Sequence, residues 1–359
     1  MNLITYQESL ELEPESTLYL DVRTPAEFKE ATIPGAVNIP IFNNQEREQV
    51  GTIYTQESPA KARMLGVELV APKLPEMLKE IKSLTEEYKN TVVFCSRGGL
   101  RSESIVSFCE LINLRNIYKL KEGYKSYRRF IMNQLENYDL KSKLLVIHGF
   151  TGVGKTDLLY KLQAKGIPII DLEGLANHRG SAFGSIGLGK PTNQKHFDSL
   201  LWERLEKLNG EPIIAVEAES KRIGMSVLPQ FFLDAMEDGI HILLESSLEA
   251  RVNRIFSEYS NSYEKDKSAF IDRTLESISA VKKHIVQKIG KDGYQQLVDN
   301  CRAGKLKKVI EILLTKYYDP LYKHSQDQHD RFSLVIEEDD LDKTTEQISQ
   351  FVEDLEFNN

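Results

Sequence analysis

Apolar residues in this chain fall in short runs, each followed by a stretch in which apolar and polar positions recur at helical spacing. Thr17–Arg23 (TLYLDVR) is rich in β-formers and predicts a strand, and AEFKEA behind it predicts the start of a helix. Ile33–Pro40 (IPGAVNIP) places turn residues around a short buried stretch. Thr91–Phe94 predicts a second strand, which leads through a glycine-containing loop into a helix over SIVSFCELI. IYKLKEGYKSYRRFIMNQL adds a short strand and a basic helix, and the charged segment Asn137–Lys143 reads as a linker. Beyond it come the strand Leu144–Ile147, a glycine-rich loop and a helix over Asp157–Gln163. Ile167–Leu172, Pro212–Glu217, Ile240–Glu245 and Phe332–Glu337 are further strand candidates separated by helical stretches, the pattern of a parallel sheet covered by helices. The expected fold class is therefore α/β in two domains, 1–140 and 141–359, the second with a helical insertion at about 248–322.

Composition changes this picture little. At 41% hydrophobic and 28% charged residues the chain is an ordinary folded one, and no apolar run reaches the roughly 20 residues of a membrane span. Met1–Glu13 is polar and acidic, without the basic and apolar regions of an export signal, so a cytoplasmic location is expected. Cys95, Cys109 and Cys301 are too few and too scattered for a disulfide framework or a structural zinc site. The net charge of −8 argues against a surface that coats nucleic acid throughout. Lys282–Lys308 nevertheless holds eight basic residues against two acidic ones. Lys282, Lys283, Arg302, Lys305, Lys307 and Lys308 are candidates for a phosphate-backbone contact, the alternative being a solvated helix face. Arg128 and Arg129 are possible additions to it.

Two loops carry the candidate chemistry. Gly149-Phe150-Thr151-Gly152-Val153-Gly154-Lys155-Thr156 matches G-x-x-x-x-G-K-[ST] in full, between a strand and a helix as the motif requires. Its glycines let successive N–H groups turn inward around a phosphate, and Lys155 neutralises the outer oxygens. Thr156 is a magnesium ligand if the ligand brings the ion, and Glu217 and Glu219, at the end of a strand, stand where acids would hold a metal or its water. A diphosphate is implied, ATP being one of several. The other loop, CSRGGLRS, starts with Cys95 at a strand end and runs through Arg97, Gly98, Gly99 and Arg101 into a helix. Loop amides, a helix N-terminus and two arginines favour a thiolate there and form a concave anion site. Such a thiolate attacks a sulfur, selenium or phosphorus centre. Cys109 lies inside the next helix and reads as a core residue.

DVRTPAEFKEATIPGAVNIP (Asp21–Pro40) and LKEGYKSYR (Leu120–Arg128) resemble the signatures of rhodanese domains. A rhodanese-like unit followed by a P-loop NTPase-like unit, together with QVGTIYTQ (Gln49–Gln56), CSRGGLRS, DLEGLANHRGSAFG (Asp171–Gly184) and AESKRIG (Ala218–Gly224), resembles the tRNA 2-selenouridine synthase family over essentially the whole chain. Ala218 and Lys221 depart from the more acidic segment usual in that family. The resemblance implies that 2-thiouridine at the wobble position of tRNA is S-geranylated with geranyl diphosphate, and that selenium from selenophosphate then replaces the geranylthiol. It implies no tightly bound cofactor, with magnesium possible, the tRNA anticodon arm as partner, and a role for Cys95 as the selenium carrier. The glycine-rich stretch after Asp171 makes His178 and Arg179 candidates for diphosphate or substrate contact, with Arg222 another. Arg251 and Arg254 are expected either to reach a phosphate as a lid does or to pair with Glu245 and Glu249. The alternative function is a rhodanese-type sulfurtransferase fused to an ATP-dependent kinase or ATPase acting on a small molecule.

Overall fold

A computed structural model describes residues 1–178, 191–320 and 332–357. The chain divides into two units, Met1–Asn137 with Asp198–Trp202, and Tyr138–Phe197 with Glu203–Asn359.

The first unit is built on five parallel strands, β1 (Asn2–Ile4), β2 (Thr17–Asp21), β3 (Val37–Asn38), β4 (Asn90–Phe94) and β5 (Ile117–Leu120), in the order β1-β5-β4-β2-β3. Helices cover the sheet, which is why β4 reads as a continuous apolar run rather than an alternating one. Leu20, Val93, Ile105 and Ile81 form its core. The edge strand β1 carries no strand signal of its own and forms by pairing with Tyr118–Leu120. Three helices, Asn44–Gln56, Pro59–Val70 and Leu74–Glu87, join β3 to β4 and were not expected. The signals lie at their starts: Asn43 and Glu46 form a reciprocal cap, and Ser58 caps a helix whose first residue is Pro59. The Asp21-Val22-Arg23 turn is locked from within. Arg23 bonds the Asp21 carboxylate at 2.6 Å and the Ala31 carbonyl at 2.7 Å, and stacks 4.1 Å above the Tyr124 ring.

The second unit holds β6 (Lys143–Gly149), β7 (Ile169–Ile170), β8 (Ile213–Glu217), a two-stranded antiparallel hairpin of β9 (Arg222–Ile223) and β10 (Ser226–Val227), β11 (Ile240–Glu245) and β12 (Leu334–Glu337). The main sheet is parallel throughout, ordered β12-β11-β6-β8-β7. The central β6 delivers the glycine-rich loop at its C-terminal end, and the register sets Ile147 opposite Glu217, so the loop and that carboxylate share one edge of the sheet. The expected strand Ile167–Leu172 is cut short because Asp171 caps the helix Leu172–Ala176, accepting from the Gly174 N–H at 2.7 Å. The stretch after β11 is helical: Leu248–Lys265, Lys267–Ala280, Lys282–Arg302 and Leu306–Leu313, ending in a π turn over Leu314–Tyr318. Gly290, at φ 76° and ψ 173°, breaks Lys282–Arg302 into two pieces. These helices have their own apolar core, including Phe270, Ile278, Leu297, Val309 and Leu314.

Candidate active sites

In the first unit, Cys95 follows the end of β4 and is 3% exposed. The N-terminus of the helix Tyr124–Glu136 captures the loop from below: the Tyr124 N–H donates to the Cys95 carbonyl at 2.8 Å and the Lys125 N–H to the Ser96 carbonyl at 3.0 Å. In a trans peptide the N–H opposes the C=O, so the amides of Ser96 and Arg97 face the other way, over the loop. Gly98 (φ +63°) and Gly123 (φ +59°) make this possible, since a Cβ on Gly123 would lie 2.1 Å from the Cys95 carbonyl oxygen. The Cys95 thiol is 3.2 Å from the Ser102 hydroxyl, which can donate to a thiolate.

Arg101 does not point freely at an anion. It pairs with Glu27 at 2.7 Å and donates to the Ser96 hydroxyl, which also bonds Glu27. Burial opposes ionisation of Glu27, but Arg101, Ser96 and the Thr24 N–H outweigh it and hold the carboxyl at about 2. Arg97 is exposed at the loop tip. Burial pushes the thiols of Cys109 and Cys301 up to about 11, which leaves them poor nucleophiles.

In the second unit, Gly149, Gly152 and Gly154 all take positive φ, and a Cβ on any of them would meet neighbours at 3.0 Å or less. Lys155 lies on its own loop, donating to the Gly149 carbonyl at 3.2 Å. The Thr156 hydroxyl is 3.3 Å from Glu173, whose N–H donates to Glu217 at 2.8 Å. Glu217 is fully buried and its second carboxylate oxygen has no partner among the described residues. Burial, reinforced by Asp171, raises it well above the usual carboxylate range. Burial and the neighbouring Glu173 push Glu219 up to about 8 against the pull of Lys155. An acidic wall of Asp171, Glu173, Glu217 and Glu219 thus stands beside the loop, short of positive charge.

The loop opens into a cavity of about 430 Å³. Thr151, Gly152, Gly154, Lys155, Thr156, Glu173 and His178 line its polar end. Ile255, Phe256, Phe270, Val309, Leu313 and Leu314 line most of the rest, where the cavity enters the helical core, with Glu258, Thr274 and Tyr318 among them. His178 is packed under Gly224, and burial lowers its pKa and so favours the neutral ring.

Two expectations need correction. Arg251 and Arg254 do not pair with Glu245 or Glu249. Arg251 is buried, donates to the Thr151 carbonyl at 2.9 Å and pairs with Asp319, while Arg254 donates to the Gly152 carbonyl at 2.7 Å. Their helix faces the glycine-rich loop, which puts the loop's carbonyls within reach of both guanidiniums. Arg222 is exposed on the β9–β10 hairpin and takes no part in lining the cavity. Arg179 lies outside the described residues.

Residues 142–354 match the family model described as the tRNA 2-selenouridine synthase AAA domain, and residues 7–130 match the rhodanese-like domain. A tRNA 2-selenouridine synthase of a Sulfurovum species is 34% identical over 86% of this chain and 88% of its own. Those of Shewanella loihica and Pseudomonas putida are each 32% identical, over 85% and 86% of this chain and 86% and 88% of theirs. The chain belongs to the tRNA 2-selenouridine synthase family. In this family member Gly152, Gly154 and Lys155 converge at one cavity end, and Cys95, Gly98 and Arg101 at one loop. Lys282, Lys283, Arg302, Lys305, Lys307 and Lys308 are all exposed; Lys307 bonds Asn253 and Lys308 pairs with Glu311. Sequence reasoning passed over Ser102, Glu27, Asp171 and Glu173. Ser102 and the three acids lie within quoted motifs, but only the folded chain reveals what they touch. Among the described residues no helix is long and apolar enough to cross a membrane.

Proposed function

We propose that this chain converts 2-thiouridine at the wobble position of tRNA into 2-selenouridine, first S-geranylating it with geranyl diphosphate and then exchanging the geranylthiol for selenium from selenophosphate. The observation that carries this reading is the two-character cavity, with a phosphate cradle at one end and hydrocarbon walls at the other. A prenyl diphosphate has the same two characters. A nucleotide base needs hydrogen-bonding groups, whereas apolar side chains predominate on the helical wall: Thr274 turns its hydroxyl onto the Phe270 carbonyl at 2.8 Å, and Glu258 and Tyr318 are the other polar side chains there.

On this reading the loop amides and Lys155 bind the diphosphate and take up the charge it gains as the thiouridine sulfur attacks carbon 1 and the carbon–oxygen bond breaks. Thr156 and Glu173, with the unpartnered oxygen of Glu217 behind them, are a fitting donor set for magnesium, which would neutralise part of that charge. The Cys95 thiolate then attacks the phosphorus of selenophosphate, whose oxygens the Ser96 and Arg97 amides hold; the phosphorus–selenium bond breaks, the freed selenide attacks C2 and expels the geranylthiolate, and water releases phosphate from Cys95. Alkylation has by then turned the sulfur into a leaving group. Thermal-shift titration with geranyl diphosphate and with ATP tests the reading. Stabilisation by geranyl diphosphate, abolished by Lys155→Ala, is expected; stabilisation by ATP alone would favour the kinase alternative.

A further inference from the structure

The cavity runs from the glycine-rich loop in among the helices of the helical module, so the side chains furthest from the loop limit the length of the chain it admits. Ile255 stands at the phosphate end, because a Cβ on Gly152 would meet its Cδ1 at 2.7 Å. Phe270 and Thr274 lie on the helix Lys267–Ala280, which packs on the helices Leu248–Lys265 and Lys282–Arg302, a layer further from the glycine-rich loop. Both are 9% exposed. Thr274 bonds the carbonyl of Phe270 and so withdraws its polar group from the wall. Phe270 is the bulkiest side chain that this helix gives to the cavity.

We propose that Phe270 and Thr274 form the floor of the prenyl pocket and set its length limit, admitting a geranyl chain and excluding one longer by an isoprene unit. This rests on the prenyl diphosphate reading above. A close-packed wall discriminates by size because an extra methylene either fits or forces the wall apart. Removing the Phe270 ring vacates roughly the space of one isoprene unit, and enlarging Thr274 takes space from the tail.

The test is calorimetric titration of the full chain with dimethylallyl, geranyl and farnesyl diphosphates. Wild type is expected to prefer geranyl over farnesyl diphosphate by about tenfold or more. Phe270→Ala should shrink or invert that ratio by strengthening farnesyl binding. Thr274→Leu should weaken geranyl binding and leave dimethylallyl binding unchanged. Phe270→Leu, which keeps more of the packing, serves should the alanine variant fail to fold, and is expected to move the ratio the same way by less. An unchanged geranyl-to-farnesyl ratio in variants that still bind geranyl diphosphate overturns the floor assignment alone. A wild-type protein that binds no prenyl diphosphate overturns the underlying reading and the floor with it.

Discussion

Glu27 and Glu219 show opposite outcomes of the same contest between burial and pairing. Arg101 and two further donors hold Glu27 at about 2, below the usual 4.5, so its stabilisation is present above pH 4.5 and fades as pH falls toward 2. Glu219 is pushed up to about 8, so the fold is unstrained by it below pH 4.5 and loses stability as pH rises toward 8. Thermal unfolding across pH should therefore show Glu219→Gln flattening the decline on the alkaline side. Glu27→Gln should instead cost about 1–3 kcal/mol at neutral pH, an effect that disappears in acid. A Glu219→Gln profile parallel to wild type would show that this carboxyl titrates normally. At the chemical centre, Cys95→Ser should abolish selenium transfer while geranyl diphosphate still stabilises the protein, measured by nucleoside mass spectrometry and thermal shift. These residues also mark what the sequence can convey. Cys95 and Lys155 are legible because their loops are contiguous and glycine spacing reports backbone shape directly. Glu27 is not: it reaches Arg101 across 74 positions, and nothing around it in sequence announces the meeting.

At the scale of elements, the active loop is shaped by a neighbouring helix as much as by its own residues. The Cys95 and Ser96 carbonyls are fixed by the N–H groups of Tyr124 and Lys125, and Gly123 has to lack a side chain for them to approach. Gly123→Ala is expected to destabilise the first unit by roughly 2 kcal/mol or more, through left-handed strain and collision with the loop. It should also impair selenium transfer beyond the loss of folded protein. A Gly123→Ala protein with full stability and full activity would mean the loop is held otherwise. Strands were readable where an apolar run is buried on both faces, as in β4 and β6, and in the half-buried apolar run of β11. The edge strand β1 was not, because its pairing partner decides it rather than local composition, and the strand expected at Ile167–Leu172 is real but shortened to β7 by a helix cap. The helical stretch after β11 was legible as helix, but the hollow inside it was not, since a cavity is a property of several helices packed together.

For the molecule as a whole, a chain of net charge −8 has to present RNA with a local surface. Arg302 and Lys305, both exposed, are proposed as part of one. Replacing each by alanine should weaken tRNA binding across sequences and lower the slope of log affinity against log salt by about 1 per residue; an unaltered slope would place the RNA elsewhere. On the proposed reading, the phosphate cradle with its hydrocarbon cavity and the amide-lined cysteine loop prepare a sulfur for departure and then replace it. Incubating 2-thiouridine tRNA with geranyl diphosphate and selenophosphate, followed by nucleoside mass spectrometry, separates those two steps in one experiment. The account predicts 2-selenouridine with the wild-type protein, accumulation of S-geranyl-2-thiouridine with Cys95→Ser, and unmodified 2-thiouridine with Lys155→Ala. Full geranylation by Lys155→Ala, or undiminished selenium incorporation by Cys95→Ser, would contradict it.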